Sequence, residues 1–371
     1  MSVNIPSFTE RSRLMLIAPH PDDESLACSV ILQKALRAGA AVRIVYATDG
    51  DNNPWPQRVL EWKWRLDGCD REWWGQLRRK EALDALAVLG IRDSDTRFLG
   101  LPDQGLTDLL LSGCQRTLAL LAQTITEWAP TDLLAPATGD IHPDHSAVAV
   151  MLRLVVANLL PPDLQISPWS FLVHGNHARF RDNAAVLRQT PKESAIKLAA
   201  INCHKTQLKL SRTRFVSYAG RLEGFRAANG TKGNVNGEGF SNSGALEITL
   251  PPISRRLLSA RPRLWILGHD LTKRFNSVVI PIRARSSTAQ MSDYKSGEDI
   301  AIAACHGKLF TGLRVTIPSD LFSTNSPIYA KVERRGSFFD DFGWIEVQAE
   351  DYRIPSDAPI PAVDDLSLAF G

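Results

Sequence analysis

Over the first two-thirds of the chain, short apolar runs alternate with longer segments of helical period, and this alternation restricts the fold more than any other feature. Leu14-Met15-Leu16-Ile17-Ala18 is a continuous apolar run of the kind a parallel strand shows when both its faces are covered. Residues 24–38 follow with apolar positions near helical spacing and stop at Gly39. Further strands are expected at 42–47, 97–99, 132–135 and 170–173, with helices at 78–89, 109–128, 146–160 and 193–210. Such alternation gives a mostly parallel sheet with helices on both faces. Ligands of these sheets sit beyond the carboxyl ends of the strands, so the polar residues just after each strand carry the functional information. No G-x-G-x-x-G follows the first strand and no P-loop occurs, so dinucleotide and nucleoside-triphosphate binding lack their main feature.

The pattern changes after Phe225. Residues 229–244 hold five Gly and four Asn and no helical period, as in a flexible linker or flap. Beyond them, short strands are expected at 246–250, 264–267, 277–282, 313–317, 328–332 and 344–347, separated by Pro, Gly, Ser and Asn. The expected organisation is therefore an α/β domain over 1–228, a linker over 229–244, and a β-rich, all-β sandwich-like domain over 245–371. Two domains suit a chain of 371 residues. With 43 Lys+Arg against 40 Asp+Glu, the charge argues against bulk nucleic-acid binding, which needs a large basic excess. The five cysteines are far apart and form no Cys-x-x-Cys pair, which speaks against a thiolate zinc site and suits a reducing compartment. The first residues lack a signal-type apolar region and no apolar run approaches about 18 residues, so a cytoplasmic protein without an integral membrane span is expected. Oligomerisation is left open by the sequence.

Two motifs carry chemistry. Pro19-His20-Pro21-Asp22-Asp23-Glu24 stands directly after the first strand. His20 and Asp23, three apart across a Pro-stiffened turn, are spaced to face one metal ion, and nitrogen plus carboxylate suits Zn²⁺ or another divalent transition metal. The competing account has Asp22 and Asp23 capping the helix that begins near Glu24. Asp140-Ile141-His142-Pro143-Asp144-His145 repeats the pattern after the fourth strand. Two His/Asp clusters at two strand ends of one sheet converge on a shared crevice, and the pair favours a metal site over two coincidental caps.

These motifs, with the strand before the first, resemble the PIG-L/LmbE-like family of zinc-dependent N-acetylglucosaminyl de-N-acetylases. Thr48-Asp49-Gly50, Arg78-x-x-Glu81-Ala82, Leu89-Gly90, Phe98-Leu99-Gly100-Leu101-Pro102-Asp103 and Lys197-x-x-Ala200-x-x-x-His204-x-x-Gln207 extend the resemblance over roughly residues 12–210. It implies a Rossmann-like sheet and a hydrolase that removes the N-acetyl group from an N-acetylglucosamine-type amino sugar or glycoconjugate. It further implies His20, Asp23 and His145 as zinc ligands and Asp22 as the general base acting on zinc-bound water. His142 would stabilise the oxyanion or assist protonation, and Asp144 would orient a histidine ring. Arg78 and Asp103 match positions associated with the sugar or its aglycone, with a structural ion pair as the alternative. Glu24 is either a support for the site or merely the start of a helix, and His204 and Gln207 read more readily as packed helix residues.

One stretch departs from the family's simplest pattern. Between Gly50 and Arg78 lie Trp55, Trp62, Trp64, Trp73 and Trp74. They form either an aromatic wall for sugar faces, with Trp55 as its candidate binding residue, or a helix packed on the core. His174 and His177 follow the fifth strand and are placed at the rim, while His269 and His306 receive no role. Two other functions stay open at this stage: a metal-dependent phosphoesterase, and a non-catalytic glycan-binding protein.

Overall fold

The computed structural model describes residues 6–228, 245–250, 262–282, 288–308, 312–323, 326–332, 339–340 and 342–347. The segment 229–244, expected to be a linker or flap, lies outside the described residues.

The first half opens with β1 (Arg13–Ala18), α1 (Asp23–Ala27), α2 (Ser29–Arg37) and β2 (Ala41–Thr48). Next come α3 (Pro54–Glu61), α4 (Gly68–Leu89), β3 (Thr96–Leu101), α5 (Leu106–Leu111), α6 (Gln115–Trp128) and β4 (Asp132–Pro136). It continues through α7 (Pro143–Asn158), β5 (Ser167–Phe171), α8 (His177–Arg181) and β6 (Ala185–Leu187), then α9 (Pro191–Ile201), α10 (Lys205–Ser217) and β7 (Glu223–Ala227). The sheet order is β3-β2-β1-β4-β5-β7-β6. β1 to β5 run parallel, while β7 pairs antiparallel with both β5 and β6.

The apolar run of β1 is covered on both faces. Leu14, Leu16 and Ala18 join a core with residues of α1, α2, α4, α9 and α10, whereas Met15 and Ile17 join a second core with α5, α6 and α7. The period-2 geometry of a strand produces this split. Three expected helices are each interrupted, the first of them, at 24–38, between α1 and α2 at Cys28. The segment expected at 109–128 breaks between α5 and α6, and that expected at 193–210 breaks between α9 and α10 at His204, whose ring is drawn to Glu24. α4 starts ten residues earlier than expected, at a capping box in which Asp67 and Asp70 bond each other's backbone N–H groups.

The second half is antiparallel. Its strands are β8 (Ala245–Leu250), β9 (Arg263–His269), β10 (Phe275–Pro281), β11 (Thr288–Asp293), β12 (Asp299–Lys308), β13 (Gly312–Pro318), β14 (Ile328–Val332) and β15 (Ile345–Val347). They form one sheet in the order β15-β14-β9-β10-β11-β12-β13-β8, which curls into a nearly closed barrel around its own core. Leu264, Ile266 and Ala330 point into that core. Their neighbours Trp265, Leu267 and Tyr329 point the other way and join the core of α5, α6 and α7. The two halves thus meet through one apolar layer. No helix among the described residues is long and apolar enough to cross a membrane.

Candidate active site

The strand order 3-2-1-4-5 reverses direction between β1 and β4, and a crevice opens there at the carboxyl ends of the strands. The two His/Asp motifs are the segments that leave β1 and β4 at this point. Sequence-distant residues therefore meet because the topology sends their strands to adjacent positions.

His20, Asp23 and His145 converge. His20 Nδ1 lies 3.1 Å from His145 Nε2, and Asp23 Oδ2 lies 3.6 Å and 3.4 Å from these two atoms. The outer nitrogens face carboxylates: His20 Nε2 is 3.2 Å from Asp103 Oδ1 and 3.3 Å from Asp144 Oδ2, and His145 Nδ1 is 3.3 Å from Asp140 Oδ2. Carboxylates only accept, so the outer nitrogens carry protons, which leaves the inner ones as the ligand atoms once the rings are neutral. Two inner imidazole nitrogens and a carboxylate oxygen thus point at one another, an arrangement suited to a shared cation. The edges of this triangle match those of a tetrahedron with bonds of about 2.0–2.1 Å, which are about 3.3–3.4 Å long. Asp23 Oδ1 is buried without a hydrogen-bond partner. Donor chemistry and spacing therefore fit Zn²⁺ or a similar divalent ion. His142, with nitrogens near those of His20 and His145, belongs to the same candidate cluster.

Electrostatics follow from burial and charge. Burial alone would depress both His20 and His145, but surrounding carboxylates hold them above the usual imidazole value: Asp103, Asp144 and Asp23 for His20, Asp23 and Asp140 for His145. Burial would raise Asp23, yet the charges of His145 and His20 hold it well below the usual carboxylate range.

Asp22 is different. Burial lifts its carboxyl to about 6, with Arg78 opposing and Asp23 reinforcing the rise. Its side chain caps nothing; Asp22 Oδ2 instead accepts from Arg78 Nη2 at 3.0 Å. The backbone of Asp22 has φ 136°, a conformation that costs about 1–3 kcal/mol and recurs at functional sites. Glu24 offsets that cost by accepting the Asp22 N–H at 2.9 Å, and Glu24 is itself held by His204 Nε2 at 2.8 Å. Arg78 also donates to the carbonyls of Pro21 and Gly50 at 2.7 Å each. Gly50 has φ +64°, and a Cβ there would fall 1.7 Å from Arg78 Nη1, so position 50 must be glycine twice over.

His142 caps α7, its Nδ1 accepting from the Asp144 N–H at 3.2 Å. Burial and the neighbouring imidazoles hold it well below the usual histidine value. It is therefore neutral, with its proton on Nε2. Asp144 also accepts from the N–H groups of Gln104 and Leu106.

A cavity of about 300 Å³ opens onto these groups. The predicted residues His20, Asp22, Asp23, Trp55, Arg78, Asp103 and His142 line it, as does Gln207. Arg78 and Asp103 each do double duty, facing the cavity while gripping Asp22 and His20. Of the tryptophans, Trp74 is buried, Trp55 is 60% exposed at the cavity, and Trp62, Trp64 and Trp73 face solvent. His177 bonds the Val173 carbonyl away from the cavity, whereas His174 lines it.

Sequence reasoning gave no role to Asp140, which is fully buried and accepts from the N–H groups of His142, Val173 and His174 as well as from His145. Its place two residues before His142, at a strand end, was the available signal. Arg214 and Phe339, which also line the cavity, had none.

The family model for PIG-L, GlcNAc-PI de-N-acetylase, matches residues 15–156, the stretch that supplies every carboxylate and imidazole of the site described above except His174, His177 and His204. Residues 15–156 form a PIG-L family domain. Over 176 residues the chain is 29% identical to a 1D-myo-inositol 2-acetamido-2-deoxy-alpha-D-glucopyranoside deacetylase of Mycobacterium avium, covering 44% of this chain and 57% of that one. It is 32% identical over 101 residues to a mycothiol S-conjugate amidase of Streptomyces coelicolor, covering 27% and 32% respectively. The chain thus spans between 32% and 57% of the length of the curated relatives it matches. Among solved structures, N,N'-diacetylchitobiose deacetylase from Pyrococcus horikoshii aligns at 21% identity and a TM-score of 0.45, over 59% of this chain and 84% of that chain. The PIG-L match ends in α7, so the second sheet lies outside it.

Proposed function

We propose that this PIG-L protein is a metal-dependent hydrolase that removes the N-acetyl group from an N-acetylglucosamine-type amino sugar or glycoconjugate. One observation carries the reading: three ligand atoms with inward lone pairs, and beside them a carboxyl of raised pKa that is not one of the three. His20, Asp23 and His145 would hold the metal. When bound, a divalent ion supplies Lewis acidity at this point and makes a nearby water easier to deprotonate. The mycobacterial relative named as an acetamido-sugar deacetylase supports the substrate class.

The chain's own residues account for the rest. Asp22, at about 6, is ionised at neutral pH yet basic enough to take a proton from water and return it to the leaving amine. Arg78 fixes the carboxylate in place. His142 donates from Nε2 to the acetamide oxygen as that oxygen gains charge. Asp103 and Asp144 hold the His20 ring, and Asp140 holds that of His145, so both keep their inner lone pairs aimed inward.

The test is acetate release from a panel of N-acetylated sugars and their glycosides, followed by mass spectrometry for loss of one acetyl group. Asp22→Asn is expected to retain metal and lose turnover. A protein that binds no metal, or that releases phosphate from esters but acetate from none of these sugars, would overturn the reading.

A further inference from the structure

The cavity is not built by the PIG-L domain alone. Phe339, from the second half of the chain, lines it beside His142 and His174. Its ring lies 5.8 Å from that of His142, edge to face at 77°, and 5.1 Å from that of His174. The Arg214 guanidinium sits 5.6 Å from the Phe339 ring and donates to His174 Nδ1 at 2.9 Å. An aromatic face at the rim is thus set next to the imidazole that faces the reacting group.

Its placement is anchored on several sides. The N–H of Asp340 donates to the Ile141 carbonyl at 2.8 Å, and that of Trp344 donates to Thr138 at 2.8 Å, so this segment grips the loop that carries Asp140 and His142. At Gly343 the approach is so close that a Cβ would fall 1.9 Å from the Thr138 oxygen. Asp340 pairs with buried Lys331 of β14 at 2.6 Å, and Lys331 reaches Ser146 next to His145.

We propose that Phe339 is a specificity-determining residue of this active site, against which the apolar face of the substrate's sugar ring packs. The inference rests on the deacetylase reading above. In an N-acetylated amino sugar the acetamide is bonded directly to the ring, so bringing its oxygen to His142 brings the ring to the wall beside His142. Aromatic rings bind sugar faces through their C–H groups, and the anchors already fix the Phe339 ring before substrate arrives. The second sheet then contributes to substrate choice by delivering this side chain.

The experiment measures binding and turnover together. Wild type, Phe339→Ala, Phe339→Leu and Phe339→Tyr are titrated calorimetrically with N-acetylglucosamine and an aryl N-acetylglucosaminide, and acetate release is followed with acetyl, propionyl and butyryl forms. Phe339→Ala is expected to raise Kd and KM about tenfold, more than it lowers kcat, with metal content unchanged. Phe339→Tyr is expected to restore binding, and Phe339→Leu to fall between. If the alanine variant does not fold, the leucine and tyrosine variants decide. Equal Kd in all folded variants would overturn the proposal, as would unchanged sugar binding with new tolerance of propionyl or butyryl, which would make Phe339 a wall for the acyl group. Wild type releasing acetate while the variants behave alike sinks this inference alone. Wild type that neither binds these sugars nor releases acetate sinks the deacetylase reading with it.

Discussion

Replacing Asp140 by Asn probes the residue on which the second motif depends. The carboxylate accepts four contacts: Oδ1 from the His142 N–H at 2.9 Å, and Oδ2 from the Val173 and His174 N–H groups at 3.0 Å each and from His145 Nδ1 at 3.3 Å. Asn does least harm by keeping its oxygen at the Oδ2 position. Its amide group then faces the His142 N–H, donor against donor. Losing one hydrogen bond to a charged group costs about 1.5–3 kcal/mol, and leaving a buried donor unmet costs about 1–3 kcal/mol. The two overlap, so the expected destabilisation is about 2–4 kcal/mol, measured from urea unfolding of the metal-free protein. A separate effect reaches the metal. His145 loses its charged partner and becomes a weaker, less firmly aimed ligand, so affinity is expected to fall about 10- to 100-fold. Competition with a chromogenic chelator reads that loss. An Asp140→Asn protein that is destabilised but competes for metal like wild type would show that Asp140 serves the loop and not the ligand, and would refute the reasoning.

Asp22→Asn is expected to lower kcat about 10²- to 10⁴-fold while metal content stays unchanged, checked by acetate release and metal analysis. The base must be ionised, so kcat/KM is expected to fall as pH drops through the Asp22 pKa; burial sets that value at about 6, and the bound cation moves it lower. Arg78→Gln removes the opposing positive charge, and the acid limb of the pH profile is expected to move to higher pH. Gly50→Ala, whose Cβ displaces the same guanidinium, is expected to reproduce the Arg78→Gln profile. Glu193, buried beside Lys34, Arg37 and the Thr190 N–H, is held at about 2 against an ordinary 4.5, burial opposing and these partners prevailing. Its folded pKa is depressed, so its stabilisation is present above about 4.5 and is lost as pH falls towards 2. Glu193→Gln is therefore expected to flatten the loss of urea stability between pH 6 and pH 3.

How much of this was legible in the sequence depended on the range of the interaction concerned. The parallel strands announced themselves because burial on both faces demands unbroken apolar runs, as in Leu14 to Ala18. β6 and β7 did not, since Ala185–Leu187 is too short for a period and Glu223–Ala227 carries Glu223 and Arg226 within five residues. Glu223 is there for a long-range reason: it accepts from the N–H groups of Val30 and Ile31 and from Lys197, so a charged residue in a strand is satisfied by the N-terminal end of a helix far along the chain. β11 and β12 were missed for a related reason, with Ser, Asp and small residues diluting the apolar signal of strands that cover only one face.

The same distinction separates the parts of the site. His20, Asp22, Asp23, His142, Asp144 and His145 are visible because the proposed metal ligands and base lie on two strand-end turns, and a turn is short enough to be a motif. Spacing alone could not distinguish a capping aspartate from a base. The φ of 136° at Asp22 argues against the cap: the side chain turns from the helix towards Arg78, fifty-six positions away in the chain. Phe339 lies further beyond the reach of any motif, because its contact with His142 exists only once the second sheet has packed Trp265, Leu267, Tyr329 and Trp344 against the helices of the first. A chain that separated the two halves would keep the ligands and lose the wall. The apolar layer that joins them is accordingly expected to matter to activity as well as to stability: a cavity-forming change such as Leu267→Ala, costing about 2–5 kcal/mol, should weaken sugar binding before it weakens metal binding. Parallel loss of both would mean that the layer supports the whole fold and transmits nothing particular to the wall.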